Sequence, residues 1–396
     1  LTVTSLGLAA GWGLIERLGR RGAEALALAL LAAAGFQLMA ASEHLVMIFL
    51  GLEVGSISLY VLAGITRERP DSDEAAMKYF LLGSLASAVF IYGVALVYAG
   101  TGALDLIAQR AFLDQFVLTR PGVLLVGLGL VISGLAFKVT AAPFHSWAPD
   151  VYQGAPAGIV GLMAAGAKIG GFAALMRILF TAFPQLSGDW GPIVAALATM
   201  SMVVGTLLAI VQDDVRRMLA YSGVAHAGFI LTGVVAGAAG SPEVWFYLTV
   251  YTVQLVGAFA VVAAVAGPSG SRSALLTYSG LAARSPFLAG AFSVLLLGMA
   301  GLPLTSGFVA KFGVFTDAWR GGYPWLVVVA VLASVAAFFF YLRVMVLMYM
   351  ADPEEGGVVD SAPGIRWVLG VAVAATFLLG IVPGPLLELV GNVVPI

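Results

Sequence analysis

The chain has 396 residues, of which 61% are hydrophobic and only 10% are Asp, Glu, Lys or Arg, where a soluble domain carries about a quarter. So little charge cannot clothe a water-soluble protein of this length, and a net charge of -2 offers no basic face to nucleic acid. With no cysteine and only three scattered histidines, His44, His145 and His226, the composition speaks against disulfides, an iron–sulfur cluster, a haem or a metal centre.

In chain order, twelve apolar segments recur at roughly 1–18, 22–42, 44–66, 74–100, 120–148, 155–183, 189–212, 216–238, 242–267, 285–316, 322–350 and 365–392. Each can cross about 30 Å of hydrocarbon as a helix, and none alternates polar with apolar as a barrel strand does. The expected class is all-α, a polytopic transmembrane helical bundle with about twelve spans. The first segment lacks the basic start and small-residue cleavage site of a signal peptide. It opens on Leu1 inside an apolar run, so the natural start is expected upstream. Segments 2–6 and 7–11 have similar lengths, and the fourth member of each set is long and interrupted. Segment 5 contains Lys138-Val139-Thr140-Ala141-Ala142-Pro143, and segment 10 contains Pro303-Leu304-Thr305-Ser306 followed by Lys311. Segment 10 as one straight helix would be about 48 Å long, too long for the bilayer unless tilted or broken. Five spans is an odd number, so the second set enters from the opposite face, the inverted-repeat logic of transporters. The expected organisation is a truncated N-terminal helix (1–21), a first five-helix repeat (22–183), a second, inverted one (184–350) and a C-terminal loop and helix (351–396).

Loops on one side hold Arg17, Arg20, Arg21, Arg67, Arg69, Arg216, Arg217, Arg272, Arg284 and Arg366, while the other holds Arg110, Arg120 and Arg320, with Arg177 near its edge. The first side is expected to be cytoplasmic, which with twelve spans leaves both ends of this chain outside. Arg177 and Arg343, near segment ends, are expected to snorkel. The four lysines, Lys78, Lys138, Lys168 and Lys311, all fall inside apolar segments. Arginine is effectively always charged, whereas a desolvated lysine can lose its proton.

A charge at mid-membrane costs at least about 2.5–3.5 kcal/mol, so such a residue marks a functional site by default. Glu53 is the only acid near a segment centre, Lys168 sits at the centre of segment 6, and Lys138 and Lys311 adjoin the two helix breaks. These four make a candidate proton relay, since burial lowers a lysine's proton affinity and a nearby carboxylate raises it. The competing readings are an inert Glu53–lysine pair and static lysines on backbone carbonyls. Lys78, about one turn inside the membrane edge, divides between a proton-handling role and snorkelling. His226, mid-segment, divides between a shuttle and a hydrogen-bonded structural histidine. His145 follows a break and is read as its cap, His44 lies at a membrane edge, and Asp150 is read as shaping a turn and capping segment 6. Gly267-Pro268-Ser269-Gly270 is a loop without a lysine, not a phosphate cradle. Nucleophile–base pairs, paired carboxylates and metal clusters are missing from the pattern, so redox or hydrolytic chemistry is not expected of this chain alone.

The run Phe137-Lys138, Pro143-Phe144-His145, Trp147 and Pro149-Asp150-Val151-Tyr152-Gln153-Gly154-Ala155-Pro156 resembles the N-type antiporter-like membrane subunits of bacterial NADH–quinone oxidoreductase, respiratory complex I. Supporting stretches are Glu74-Ala75-Ala76-Met77-Lys78-Tyr79-Phe80, Leu219-Ala220-Tyr221-Ser222 with Ala225-His226, and Gly301-Leu302-Pro303 with Gly307-Phe308 and Lys311. The resemblance implies a proton route over Glu53, Lys138, Lys168 and Lys311, and a coupling role for Lys78 toward a neighbouring unit. It implies a multi-pass location in the bacterial cytoplasmic (inner) membrane, beside neighbouring antiporter-like and small connecting subunits. NADH, FMN, iron–sulfur clusters and quinone would be bound by partner subunits, and no cofactor by this chain. The family usually has fourteen helices, so the first two are expected to be absent here and the third shortened. The rival readings are a cation/proton antiporter or membrane-bound hydrogenase subunit, and a non-translocating scaffold with an antiporter fold.

Overall fold

The computed structural model describes residues 1–66, 69–116, 121–238, 241–267, 273–353 and 361–393. Arg67, Arg120, Arg272 and residues 268–270 of the glycine-containing loop lie outside the described residues. Among the described residues seventeen α-helices follow one another: α1 (Thr2–Arg17), α2 (Arg20–Ala41), α3 (Leu45–Ala63), α4 (Pro70–Thr101), α5 (Leu106–Gln115), α6 (Gly122–Lys138), α7 (Trp147–Gly154), α8 (Ala157–Arg177), α9 (Ser187–Ile210), α10 (Val215–Val234), α11 (Ser241–Ala266), α12 (Leu281–Arg284), α13 (Pro286–Ala300), α14 (Ser306–Arg320), α15 (Pro324–Met350), α16 (Pro363–Ile381) and α17 (Gly384–Val393). There is no strand among the described residues. Among the described residues, eight helices are long and apolar enough to cross a membrane: α2, α3, α4, α8, α9, α11, α15 and α16. The interrupted segments 5 and 10 each divide in two, into α6 with α7 and α13 with α14.

Three elements differ from the sequence reading. Segment 12 is also broken, because Pro383 cannot continue α16 and α17 starts after it. Segment 4 begins earlier, at Pro70, whose fixed φ and missing N–H suit a first helical position. The short helix α5 is too polar to register as a span; it is nucleated by Asp105, whose carboxylate accepts from Ala108 N at 2.9 Å.

Burial sorts the helices into an inner and an outer set. Of the most apolar stretch of α8, 89% is buried, and of α11, 83%, against 33% of α4 and 28% of α16. Helix α10 is buried on nearly all sides despite its polar residues, and it packs on α7, α9, α11, α14 and α15. The inner helices therefore carry polar side chains in a lipid-shielded core, and the outer ones present Leu, Val, Phe and Trp outward.

One local motif appears twice. Leu45 N donates to Leu104 O and Leu106 N to Glu43 O, so that the loop before α3 bridges the loop after α4. Likewise Val215 N donates to Ser273 O and Leu275 N to Asp213 O, joining the loop before α10 to the loop after α11. The pairs α2–α3 and α9–α10 each close on glycine: a Cβ on Gly35 would meet the Gly55 backbone, and one on Gly205 the Ala225 backbone.

Candidate functional site

The first break begins where α6 ends on Lys138. Thr140 takes a left-handed backbone (φ 64), an uncommon state for a β-branched residue, and Pro143 cannot donate to a helix ladder. In the second break Gly301 (φ 89) closes α13 and Leu304 (φ 73) again turns left-handed before α14 starts. Each break frees carbonyls at the C-terminal end of a half-helix, where partial negative charge accumulates and an ammonium is well placed.

Lys168 and Lys311 reach those carbonyls and Lys138 ends the first half-helix; their exposures are 2% (Lys138), 1% (Lys168) and 5% (Lys311). Lys138 Nζ donates to Ser56 Oγ of α3 at 2.7 Å and lies over the rings of Phe36 and Tyr79. Glu53 stands three residues before Ser56 on α3, close enough for its charge to act on Lys138. Among the described residues no ion pair joins them, and Glu53 Oε1 is buried without a hydrogen-bond partner. The lysine is thus held one helical turn from the acid by a hydroxyl rather than locked to it.

Lys168 Nζ, from α8, donates to Val139 O (2.9 Å) and Thr140 Oγ1 (2.6 Å) in the first break and to Gly223 O (2.8 Å) on α10. Three residues after Gly223, His226 sits in a tyrosine cage. Its Nδ1 pairs with Tyr247 OH at 2.9 Å and its Nε2 with Tyr341 OH at 3.2 Å, while its ring stacks on Tyr251. Tyr341 OH also pairs with Ser222 Oγ at 2.5 Å. Lys168 and Lys311 flank His226 closely enough for both charges to be felt at its ring. Lys311 Nζ donates to Ala300 O, the last carbonyl of α13, and to Ser334 Oγ of α15, both at 2.8 Å, and lies over the Phe229 ring at 4.7 Å. The order Glu53, Lys138, Lys168, His226, Lys311 thus runs through the core of the bundle.

Lys78 is not part of that line. It is partly exposed and pairs with Glu74 and Asp150, each at 2.7 Å, in a network completed by Arg217 on Asp150 at 2.6 Å. Tyr79, the residue after Lys78, stacks on Trp147 as Phe137 does, and Lys138 lies over the Tyr79 ring. A polar cavity of about 260 Å³ opens beside the network, lined by Arg69, Glu74, Lys78, Asp150 and Arg216 among others.

Several readings change. Asp150 does not cap segment 6; it lies within α7 and bridges α4 to α10 through Lys78 and Arg217. Burial alone would raise its proton affinity, but hydrogen bonds from Lys78 and Arg217 outweigh this and hold the carboxyl below its usual value. His145 stays at the break: its ring interacts with the Pro143 backbone, and its backbone carbonyl accepts from Ala148 N at 3.0 Å. Arg343 and Arg177 do not merely snorkel. Arg343 holds the end of α9 through Ile210 O and Gln212 O and pairs with Asp213, and Arg177 holds Ala40 O of α2 and pairs with Glu43. Arg216 is buried, donating to Gln153 O, rather than sitting in an open loop. Ser56, Tyr247, Tyr251, Ser334 and Tyr341 are not singled out by the sequence, because hydroxyl side chains are common in helices and only their partners distinguish them.

The chain matches the family model described as NADH:quinone oxidoreductase/Mrp antiporter, TM, over residues 42–337. It is 45% identical over 378 residues to an NADH-quinone oxidoreductase subunit N of Thermobifida fusca, covering 93% of this chain and 69% of that one. Among solved structures, a chain of respiratory complex I from Thermus thermophilus superposes with a TM-score of 0.80 at 35% identity, covering 98% of this chain and 85% of that one. A chain of the Mrp complex from a Dietzia species superposes with a TM-score of 0.83 at 23% identity, covering 99% and 83%, a likeness of fold alone.

Proposed function

The chain belongs to the NADH:quinone oxidoreductase/Mrp antiporter transmembrane family, and from that membership and its buried line of lysines we propose that it is a proton-translocating membrane subunit of an NADH–quinone oxidoreductase. Nicotinamide oxidation and quinone reduction, with their FMN and iron–sulfur groups, belong on this reading to partner subunits, and the chain contributes translocation without redox catalysis of its own. The observation that carries the proposal is the placement of Lys138, Lys168 and Lys311, each buried and each held by neutral oxygens. A carboxylate locked onto any of them would strongly favour the charged form; hydroxyls and carbonyls leave the proton transferable.

Protons are taken up on the side of the Lys78–Asp150–Arg217 network, where the polar cavity lies. Lys138 accepts one when Glu53 is near and negatively charged. Lys168 passes it on, the His226–tyrosine cage bridges the centre, and Lys311 releases it on the far side. Redox energy from the partner subunits reaches the line as shifts in position and charge at Glu53 and Lys138. In the assembled complex, Lys138→Met and Lys311→Met are each expected to depress proton pumping at a given rate of NADH oxidation. Full pumping in both variants would remove this route and favour the scaffold reading.

A further inference from the structure

The cage around Lys168 has a count of hydrogens that matters. Its three oxygens, Val139 O, Thr140 Oγ1 and Gly223 O, match the three hydrogens of an ammonium one for one. A neutral amine has two hydrogens and a lone pair, so one oxygen would then face that lone pair. Two of the three are carbonyls, which only accept. Thr140 differs. Its hydroxyl accepts from Lys168 and itself donates to Val139 O at 2.6 Å, and a rotation about Cβ–Oγ1 would turn that hydrogen toward Nζ. The left-handed backbone at Thr140, costly for a β-branched residue, accompanies this placement of the hydroxyl within the cage.

We propose that Thr140 is the positioning residue that makes both protonation states of Lys168 tenable, its hydroxyl hydrogen turning from the Val139 carbonyl to the Nζ lone pair when the lysine gives up its proton. In that step one Nζ–H bond breaks and its electron pair stays on nitrogen. The proton is taken up by a ring nitrogen of neutral His226, whose tyrosine partner turns its hydroxyl to accept, and Thr140 keeps its own hydrogen. The rotation also withdraws a donor from Val139 O, on the residue directly after Lys138. The charge on Lys168 is thereby felt at the backbone that carries Lys138, which links the two lysines mechanically as well as electrically. The proposal rests on the proton-carrying role assigned to Lys168 above.

The test is made on purified complex in proteoliposomes, with proton pumping per NADH oxidised recorded against pH. The titratable groups packed around Lys168, namely Lys138 from α6, His226 from α10 and Tyr251 from α11, are the same in every variant. Thr140→Val keeps the shape and removes the hydroxyl, leaving one ammonium hydrogen without an acceptor and favouring the form with one fewer hydrogen. Loss of one hydrogen bond to a charged group is expected to move the alkaline limb of the profile to lower pH by about one unit, and Thr140→Ser to restore it. Should the valine variant not assemble, Thr140→Ala carries the same expectation. An unmoved profile per assembled complex, with only the yield reduced, would mean a merely structural threonine and overturn the inference. Lys168→Met separates the levels: if it blocks pumping while the Thr140 variants keep a wild-type profile, only this inference fails, and if it pumps normally, the route itself fails.

Discussion

At the level of single residues, the two kinds of cation are used differently. Arg177 and Arg343 sit at helix ends, each on backbone carbonyls and a carboxylate, where a permanent charge offsets the negative end of a helix. Lys138, Lys168 and Lys311 sit in the core on neutral oxygens, without a carboxylate bonded to them among the described residues. Their segregation was visible in the sequence, because depth follows from position within an apolar run. Their partners were not, because Thr140 lies 28 residues from Lys168 and Ser56 lies 82 from Lys138. Asp150 offers a pH test outside the core. Its carboxyl is held below the usual value of 3.8, so the stabilisation it contributes is complete above that pH and lost as pH falls through its lowered value. Asp150 is partly exposed, so the effect is about 1 kcal/mol or less. Thermal unfolding in detergent should show Asp150→Asn less stable than the parent at pH 7, with the gap closing in acid. A gap that persists unchanged in strong acid would contradict the assignment.

At the level of elements, the two broken helices share a design that their sequences only half announce. In each, a half-helix ends, a residue other than glycine turns left-handed, and a lysine ammonium meets the freed carbonyls: Lys168 at Val139 O, Lys311 at Ala300 O. Proline and glycine marked where the breaks fall, since one cannot donate to the ladder and the other closes it. Which lysine serves which break was not readable, because Lys168 comes from a neighbouring helix. Gly301 is constrained twice: it holds φ 89, and an added Cβ would lie 3.0 Å from Lys311 Cδ. Gly301→Ala is expected to cost about 1–2 kcal/mol and to shift the lysine off Ala300 O. A lowered unfolding midpoint together with reduced pumping per complex is the expected result, and a variant normal in both would show that the turn is not constrained as described.

At the level of the whole molecule, the proposed route makes the buried groups act in series, and steps in series do not add. The double variant Lys138→Met with Lys311→Met should therefore pump about as well as the worse single variant. Independent, additive losses would point instead to two separate routes. Composition and periodicity by themselves determined that this is a helical membrane protein and that Lys138, Lys168 and Lys311 lie at depth, because transfer into hydrocarbon is decided segment by segment. Its motifs further carried the family resemblance. Tertiary structure alone decided which helices are inner, that Lys78 and Asp150 belong to a surface network, and that hydroxyls of Ser56, Thr140, Ser334 and Tyr341 connect the line. Those are contacts between helices distant in sequence, and a hydrogen bond depends on ångströms of separation that no pattern along one strand of chain encodes.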